Sequence, residues 1–369
     1  MTDRVGIGIL GGGGILSAHA PGFAAMADAC RVVAVAEPDA SKADRIHNLL
    51  GPDVAIEPDY RDVLARDDVD AVDILLPHDL HLPAAAESAR AGKHVLVEKV
   101  MARNVWECDR MIEACDEAGV SLTICHDRRY HSQWRALKQI VDSGALGEIY
   151  FWRLDHTQNV APRQGGAKKS WIADVDRVGG GAIMSCLTHQ ADALRWYGGE
   201  VTRMTCMMKT VPERMAGESI GAIAAEMASG ALAELTINWA TRCNVARNGL
   251  WYEMVHVTGR DGEAYYMSNR GTFLLAYSGD LPDLPLAFES DPDAAQAGPA
   301  FRRIDVPVER GHVVCIREWI RSLRGEPARI TTDGRDVRGS VEIAEAAYRS
   351  VRTGCAVDLP IDPQPWSSR

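Results

Sequence analysis

Gly11-x-Gly13 follows the apolar run Val5 to Leu10 and opens a helix-like stretch reaching Ala27. In that context a glycine pair means close approach of a pyrophosphate. The first glycine permits the tight turn, and the second lets backbone N–H groups at a helix N-terminus reach the phosphates. The third small residue of the full pattern falls on Leu16, so the fingerprint is imperfect. A literal Gly-x-Gly-x-x-Gly at Gly6, Gly8 and Gly11 lies inside the strand and is a decoy. Glu37 ends the second apolar run, near the place, about 20 residues on, where an acid accepts hydrogen bonds from the adenosine ribose. A carboxylate there repels a 2′-phosphate, and no Arg or Ser follows directly. Loop and acid together read as a site for NAD rather than NADP. The plain alternatives are a flexible glycine turn and a surface acid at a strand end.

The elements that must hold these residues follow from periodicity. Short apolar runs at Val5 to Leu10, Arg31 to Ala36, Ala71 to Leu76, His94 to Val97 and Val120 to Ile124 alternate with helical stretches. This texture predicts a parallel sheet covered on both faces. Beyond about residue 130 the strands lengthen, and Glu226 to Gly230 and Gly259 to Gly262 read as hairpin turns. Hairpins without intervening helices predict an antiparallel sheet. The expected architecture is therefore α/β, a Rossmann doubly wound parallel sheet over residues 1–128. An α+β domain with a large, mostly antiparallel open sheet follows over 129–369. Residues 279–300, rich in Asp, Pro and Ala, read as a long surface loop, and 312–324 and 335–352 as closing helices.

The 369 residues, 46% hydrophobic and 25% charged, suit about two globular domains. A net charge of −11 argues against nucleic acid as a partner. No apolar run reaches the ~18 residues that span a bilayer, and the N-terminus has no signal-type segment. Nine dispersed cysteines without a Cys-x-x-Cys read as thiols in a reducing compartment, not as a zinc site. The expected location is the cytoplasm, with no membrane partner and no metal.

Further residues add a resemblance. Gly11-Gly12-Gly13-Gly14-Ile15 with His19, Leu76-Pro77 with His81, and Ala91 to Val97 followed by Glu98-Lys99 stand in order. Arg128-Arg129-Tyr130, Gly144 to Glu148, Gly179-Gly180-Gly181 with His189 and Asp192, and Tyr348 to Val357 complete the series. Over nearly its whole length the chain resembles the Gfo/Idh/MocA oxidoreductases. The resemblance implies a first domain that binds NAD(P), a second whose open sheet serves oligomer contacts, and a substrate pocket between them. It also implies a homodimer or homotetramer that oxidises a secondary alcohol of a sugar, inositol or other polyol. On the cofactor side it places Gly11, Gly13, Gly14, Ile15, Glu37, Leu76, Pro77, His81, Glu98 and Lys99, with Trp171 near the nicotinamide.

Such an oxidation needs hydride loss from carbon and a base within ~2.6–3.2 Å of the hydroxyl. His189 fits the base by type and by its match to the family histidine. Lys99 fits as the cation that orients the hydroxyl and stabilises alkoxide charge. Three departures stand out. Val100 replaces the usual proline, so a trans Lys99–Val100 bond is expected. Ser185 replaces an Asp four residues before His189, and Leu187 replaces a glycine. Asp155, Asp174 or Asp192 could supply the missing carboxylate. His78 with His81 lacks a supporting ligand cluster, and the basic loop of Arg163, Lys168 and Lys169 reads as solvated. Competing functions are a dehydrogenase of a cyclic, carboxylated dihydrodiol, to which Arg128 and Arg129 would suit, NAD-assisted glycoside cleavage, and a non-catalytic NAD-sensing regulator.

Overall fold

A computed structural model describes residues 4–159, 171–211, 215–241, 251–268, 271–276, 287–290 and 300–367. The chain divides into two compact units, the first comprising Met1–Tyr130, Glu309–Val341 and Pro363–Arg369, the second His131–Val308 and Glu342–Asp362.

In the first unit the apolar runs form β1 (Val5–Leu10), β2 (Cys30–Ala36), β3 (Ala55–Glu57), β4 (Ala71–Ile74), β5 (His94–Glu98) and β6 (Leu122–Cys125). All pair in parallel, in the order β3-β2-β1-β4-β5-β6. The helices between them are α1 (Leu16–Ala25), α2 (Ala43–Leu50), α3 (Tyr60–Leu64), α4 (His81–Arg90) and α5 (Val105–Ala118). Strand order reverses at β1/β4, and a doubly wound sheet binds ligands at the carboxyl ends of the strands flanking that point. The glycine loop leaves β1 there.

The second unit contains α6 (Ser132–Asp142), β7 (Ile149–Gln158), α7 (Val175–Val178), α8 (Thr188–Gly198), β8 (Val201–Lys209), β9 (Ile220–Met227) and β10 (Leu232–Asn238). It continues with β11 (Trp251–Gly259), β12 (Gly262–Met267), β13 (Gly271–Ala276), β14 (Ala287–Ser290) and β15 (Ala300–Asp305). Helices α9 (Gly311–Leu323) and α10 (Gly334–Thr353) and strand β16 (Val357–Asp358) close the chain. Ten strands form one sheet, β14-β15-β13-β12-β11-β7-β10-β9-β8-β16. Both expected hairpins are present as β9/β10 and β11/β12. The single parallel pair, β7/β10, was not expected. Trp134 and Trp152 both stack on Tyr197, with interplanar angles of 10° and 6°.

Two boundaries differ from the sequence reading. Residues 309–341 group with the first unit rather than with 129–308. Val314, Cys315, Ile316, Trp319 and Ile320 of α9 join the core of Ile7, Ile9 and Phe23, and the Tyr130 hydroxyl lies 3.0 Å from Thr332 Oγ1. The division then falls inside α10. The stretch read as a loop over 279–300 contains β14, whose residues 287–290 pair with β15. Asp/Pro-rich composition masked this four-residue strand.

Candidate active site

The glycine loop combines one crowded position with two open ones. Gly11 has φ +114°, and a Cβ there would meet the Leu75 carbonyl oxygen at 2.6 Å, so glycine is required twice over. At Gly13 and Gly14 an added Cβ would meet no protein atom within 4 Å. The first amides of α1 have no side-chain cap and no acid in the first turn, which leaves its positive end available to phosphate. Ile15, 37% exposed, stands at that mouth. Leu16 is fully buried: the position that usually holds a small residue here carries a core side chain.

Glu37 is buried, and its Oε2 accepts from Gly12 N (3.1 Å) and from Lys42 Nζ (2.8 Å) while Oε1 accepts from Asp39 N (3.0 Å). Arg45 donates to the carbonyls of Gly12, Gly13 and Gly14 at 3.0, 3.1 and 3.3 Å. Lys42 and Arg45 were missed in the sequence, and Gly12 was quoted only as part of the glycine run. Their signal was weak, because the cations sit on an ordinary polar helix five and eight residues beyond Glu37. Leu75, just before Leu76 and Pro77, donates to the Leu10 carbonyl at 2.8 Å. His81 is fully buried, with Nε2 2.8 Å from the Leu76 carbonyl and Nδ1 2.9 Å from that of Val100. Burial lowers its pKa. Its ring thus braces the loops after β4 and β5 against each other.

Lys99, partly exposed, follows β5. The Lys99–Val100 peptide is cis, not trans as the missing proline suggested. Its surroundings hold what the local sequence does not encode: Val100, Met101 and Ala102 are fully buried, and His81 takes the Val100 carbonyl. Glu98, placed on the cofactor side by resemblance, is buried against two imidazoles. Its Oε1 lies 3.3 Å from His19 Nε2 and 3.2 Å from His312 Nε2. His19 Nδ1 lies 2.8 Å from Asp73 Oδ2, and His312 Nδ1 lies 3.6 Å from Asp127. Among the described residues, His19, Glu98, Cys125 and His312 form a group with ligand-type atoms within 4.8 Å of one another. Carboxylates thus face all four ring nitrogens, three within hydrogen-bond distance and the fourth, His312 Nδ1, at 3.6 Å from Asp127.

Burial opposes protonation of His19, yet Asp73 and Glu98 push its pKa up to about 10. Burial would raise Glu98, but His19 and His312 outweigh it and hold the carboxyl well below its ordinary range. The raised histidine contributes stability that is complete below its unfolded value of 6.5 and lost as pH climbs through about 10. The depressed glutamate contributes stability present above its unfolded value of 4.5 and lost under acid. Urea unfolding is therefore expected to show Glu98→Gln destabilised by about 3–5 kcal/mol. That gap should be widest between pH 4.5 and 6.5 and shrink towards pH 10. A gap that does not change with pH would contradict the charged pairing.

In the second unit Asp174 caps α7, accepting from Asp176 N and Arg177 N. Gly179, at φ +90°, ends that helix. Buried Glu218 accepts from Gly181 N (3.0 Å), Ile183 N (2.9 Å) and the Tyr348 hydroxyl (2.8 Å). A Cβ on Gly180 would sit 1.9 Å from that hydroxyl. Glycines are thus demanded where a buried acid and a tyrosine satisfy the start of the segment carrying His189. Burial raises the Glu218 pKa. A π-helical turn, Ile183–Leu187, runs into α8, so buried Ser185 and His189 lie on one continuous helix with Asp192. Of the carboxylates considered for the missing Asp, Asp174 is spent on the cap. Asp155 accepts from Thr157 and Thr236. Trp171 begins a short 3₁₀ turn.

Arg129 is buried on the Thr331 carbonyl and Asp336, and Arg128 pairs with Asp127 at 2.6 Å. Arg163, Lys168 and Lys169 lie outside the described residues. Among those described, no helix is long and apolar enough to cross a membrane.

Residues 5–126 match the model for the oxidoreductase family with an NAD-binding Rossmann fold, and 134–265 match that for the GFO/IDH/MocA C-terminal domain. D-apiose dehydrogenase of Paraburkholderia graminis is 27% identical over 90% of this chain and 84% of its own. Inositol 2-dehydrogenase of Rubrobacter xylanophilus is 26% identical over 96% and 92%. The aldose-aldose oxidoreductase of Caulobacter crescentus, solved with glycerol, superposes with a TM-score of 0.78 at 25% identity, covering 97% of this chain and 100% of the other. The WlbA dehydrogenase of Bordetella pertussis, in complex with NADH and UDP-GlcNAcA, gives 0.77 at 24%, covering 98% and 100%.

Proposed function

This chain belongs to the GFO/IDH/MocA oxidoreductase family, and from that premise we propose that it oxidises a secondary alcohol of a sugar, cyclitol or related polyol. The carrying observation is the loop after β1, where Gly13 and Gly14 leave open space before an uncapped helix end at the strand-order reversal. That cradle fits NAD, which supplies the hydride acceptor when bound. Gly11, Gly13, Gly14 and Ile15 would hold its pyrophosphate side, Glu37 its adenosine ribose, and Leu76 and Pro77 the rim braced by His81. His189 takes the hydroxyl proton, and Lys99 orients that oxygen and stabilises its developing negative charge. Trp171 supplies an aromatic face.

Purified enzyme with NAD, surveyed against sugars, inositols and dihydrodiol acids by nicotinamide absorbance, tests the substrate class. Turnover of dihydrodiol acids alone would overturn it. The arginines invoked for a carboxylated substrate do not favour that alternative, because Arg128 and Arg129 are engaged by Asp127, Asp336 and the Thr331 carbonyl. Light scattering tests the homodimer or homotetramer implied by the family.

Glu37 also sets the preference for NAD over NADP. Its carboxylate neutralises Lys42, a cation that would otherwise welcome a 2′-phosphate. Glu37→Ser is expected to lower the NAD-to-NADP ratio of kcat/KM by at least about tenfold, or about 1.4 kcal/mol. An unchanged ratio would remove Glu37 from cofactor choice.

A further inference from the structure

Alternation along β7 buries Trp152, Leu154 and His156 on one face of the ten-stranded sheet. The antiparallel register of β7 and β11 sets His156 directly opposite Glu253. Both are buried, and His156 Nδ1 lies 3.2 Å from Glu253 Oε1. The other ring nitrogen, Nε2, faces Cys186 Sγ at 3.5 Å and Gln158 Oε1 at 3.4 Å. Gln190 of α8 donates to the same Glu253 oxygen at 3.4 Å. Cys186 stands on the π-helical turn. Three elements thus bring together thiol, imidazole and carboxylate in the order found where a cysteine is activated as a nucleophile.

The groups facing the ring decide its state. Glu253 at one nitrogen and the Cys186 sulfur and Gln158 oxygen at the other are acceptors, so the doubly protonated imidazolium satisfies the pocket best. Burial opposes that charge, but Cys186 and Glu253 outweigh it and push His156 up to about 10. An imidazolium at 3.5 Å stabilises a thiolate over a thiol. Cys186 retains 8% of its surface exposed. By contrast, burial pushes Cys206 up to about 12.

We propose that Cys186 is an activated thiol, positioned by His156 and Glu253, and a modification site for hydroperoxides and other soft electrophiles. With a hydroperoxide as oxidant, the thiolate attacks one oxygen: an S–O bond forms and the O–O bond breaks. Sulfur loses two electrons to the peroxide, giving a sulfenic acid. The departing oxygen takes the imidazolium proton, leaving water when the oxidant is hydrogen peroxide.

Exposed Cys355 is an internal control. The test is iodoacetamide labelling of the native chain across pH 4–9, read peptide by peptide by mass spectrometry. Cys186 is expected to reach half its maximal rate below about pH 7, at a lower pH than Cys355 in the same digest. Glu253→Gln and His156→Asn should each move the Cys186 midpoint up by at least about one pH unit. Circular dichroism checks that each variant is folded, and a variant that does not fold leaves the wild-type comparison with Cys355 decisive. After one equivalent of hydrogen peroxide, dimedone should tag Cys186 ahead of Cys355. A Cys186 midpoint at or above that of Cys355, or no labelling of Cys186 in the native chain, overturns the proposal. The readout needs neither NAD nor substrate, so its failure is distinguishable from failure of the dehydrogenase reading.

Discussion

Replacing His189 with alanine is expected to lower the rate of NADH formation by about 10²–10⁴-fold, the usual loss on removing a positioned base. The affinity for NAD, measured by calorimetry, should stay near the wild-type value, because His189 is no part of the glycine loop or of the contacts of Glu37. Lys99→Ala should lower turnover on a similar scale by removing the positive charge that stabilises alkoxide, and Lys99→Arg should restore part of it. Ser185 sharpens the test. An uncharged residue stands at 185, where the family resemblance leads one to expect an acid. Ser185→Asp is therefore expected to raise turnover, provided the buried site accommodates a second charge (Ser185 is 2% exposed). These outcomes separate an enzyme from an NAD-binding regulator. On a substrate that the wild type oxidises, full turnover by both alanine variants would sink the assignment.

What was legible in the sequence was local. Apolar runs broken by glycine or proline announced the parallel sheet, because strands buried on both faces tolerate little else. The turns at Gly230 and Gly259 announced their hairpins. The glycine loop and Glu37 were legible for the same reason, since a tight turn and a strand-end acid are written in contiguous residues. What stayed hidden depends on register and on returns of the chain from far away. Nothing near Glu98 points to His312, which arrives on α9 after the second unit has been traversed. His156, Glu253 and Cys186 come from three separate segments, brought together by the pairing of β7 with β11 and by a π-helical turn. Glu218 and Tyr348 meet at Gly181 in the same way. The cis bond at Val100 contradicts the residue-level rule, and the packing around it comes from other elements. Lys42 and Arg45 were visible as residues, but not as neighbours of the loop.

The loop itself offers the test with the cleanest separation between folding and binding. At Gly11 a side chain would be strained on two counts, a φ of +114° and a contact of 2.6 Å with the Leu75 carbonyl oxygen. The backbone term alone is about 1–2 kcal/mol, and a carbonyl held in the sheet cannot move aside cheaply. Gly11→Ala should therefore lose both thermal stability and NAD affinity, the latter by at least about 100-fold, or about 2.7 kcal/mol. Gly13 differs. A Cβ there meets nothing within 4 Å, and its φ is not positive, so Gly13→Ala should unfold at the wild-type temperature. If that open space is where the pyrophosphate rests against bare amides, the added methyl group should still weaken NAD binding by about tenfold or more. Were the glycines only a flexible turn, Gly13→Ala would bind NAD as the wild type does. A flat calorimetric trace from the wild-type chain itself would remove the dinucleotide from the site altogether.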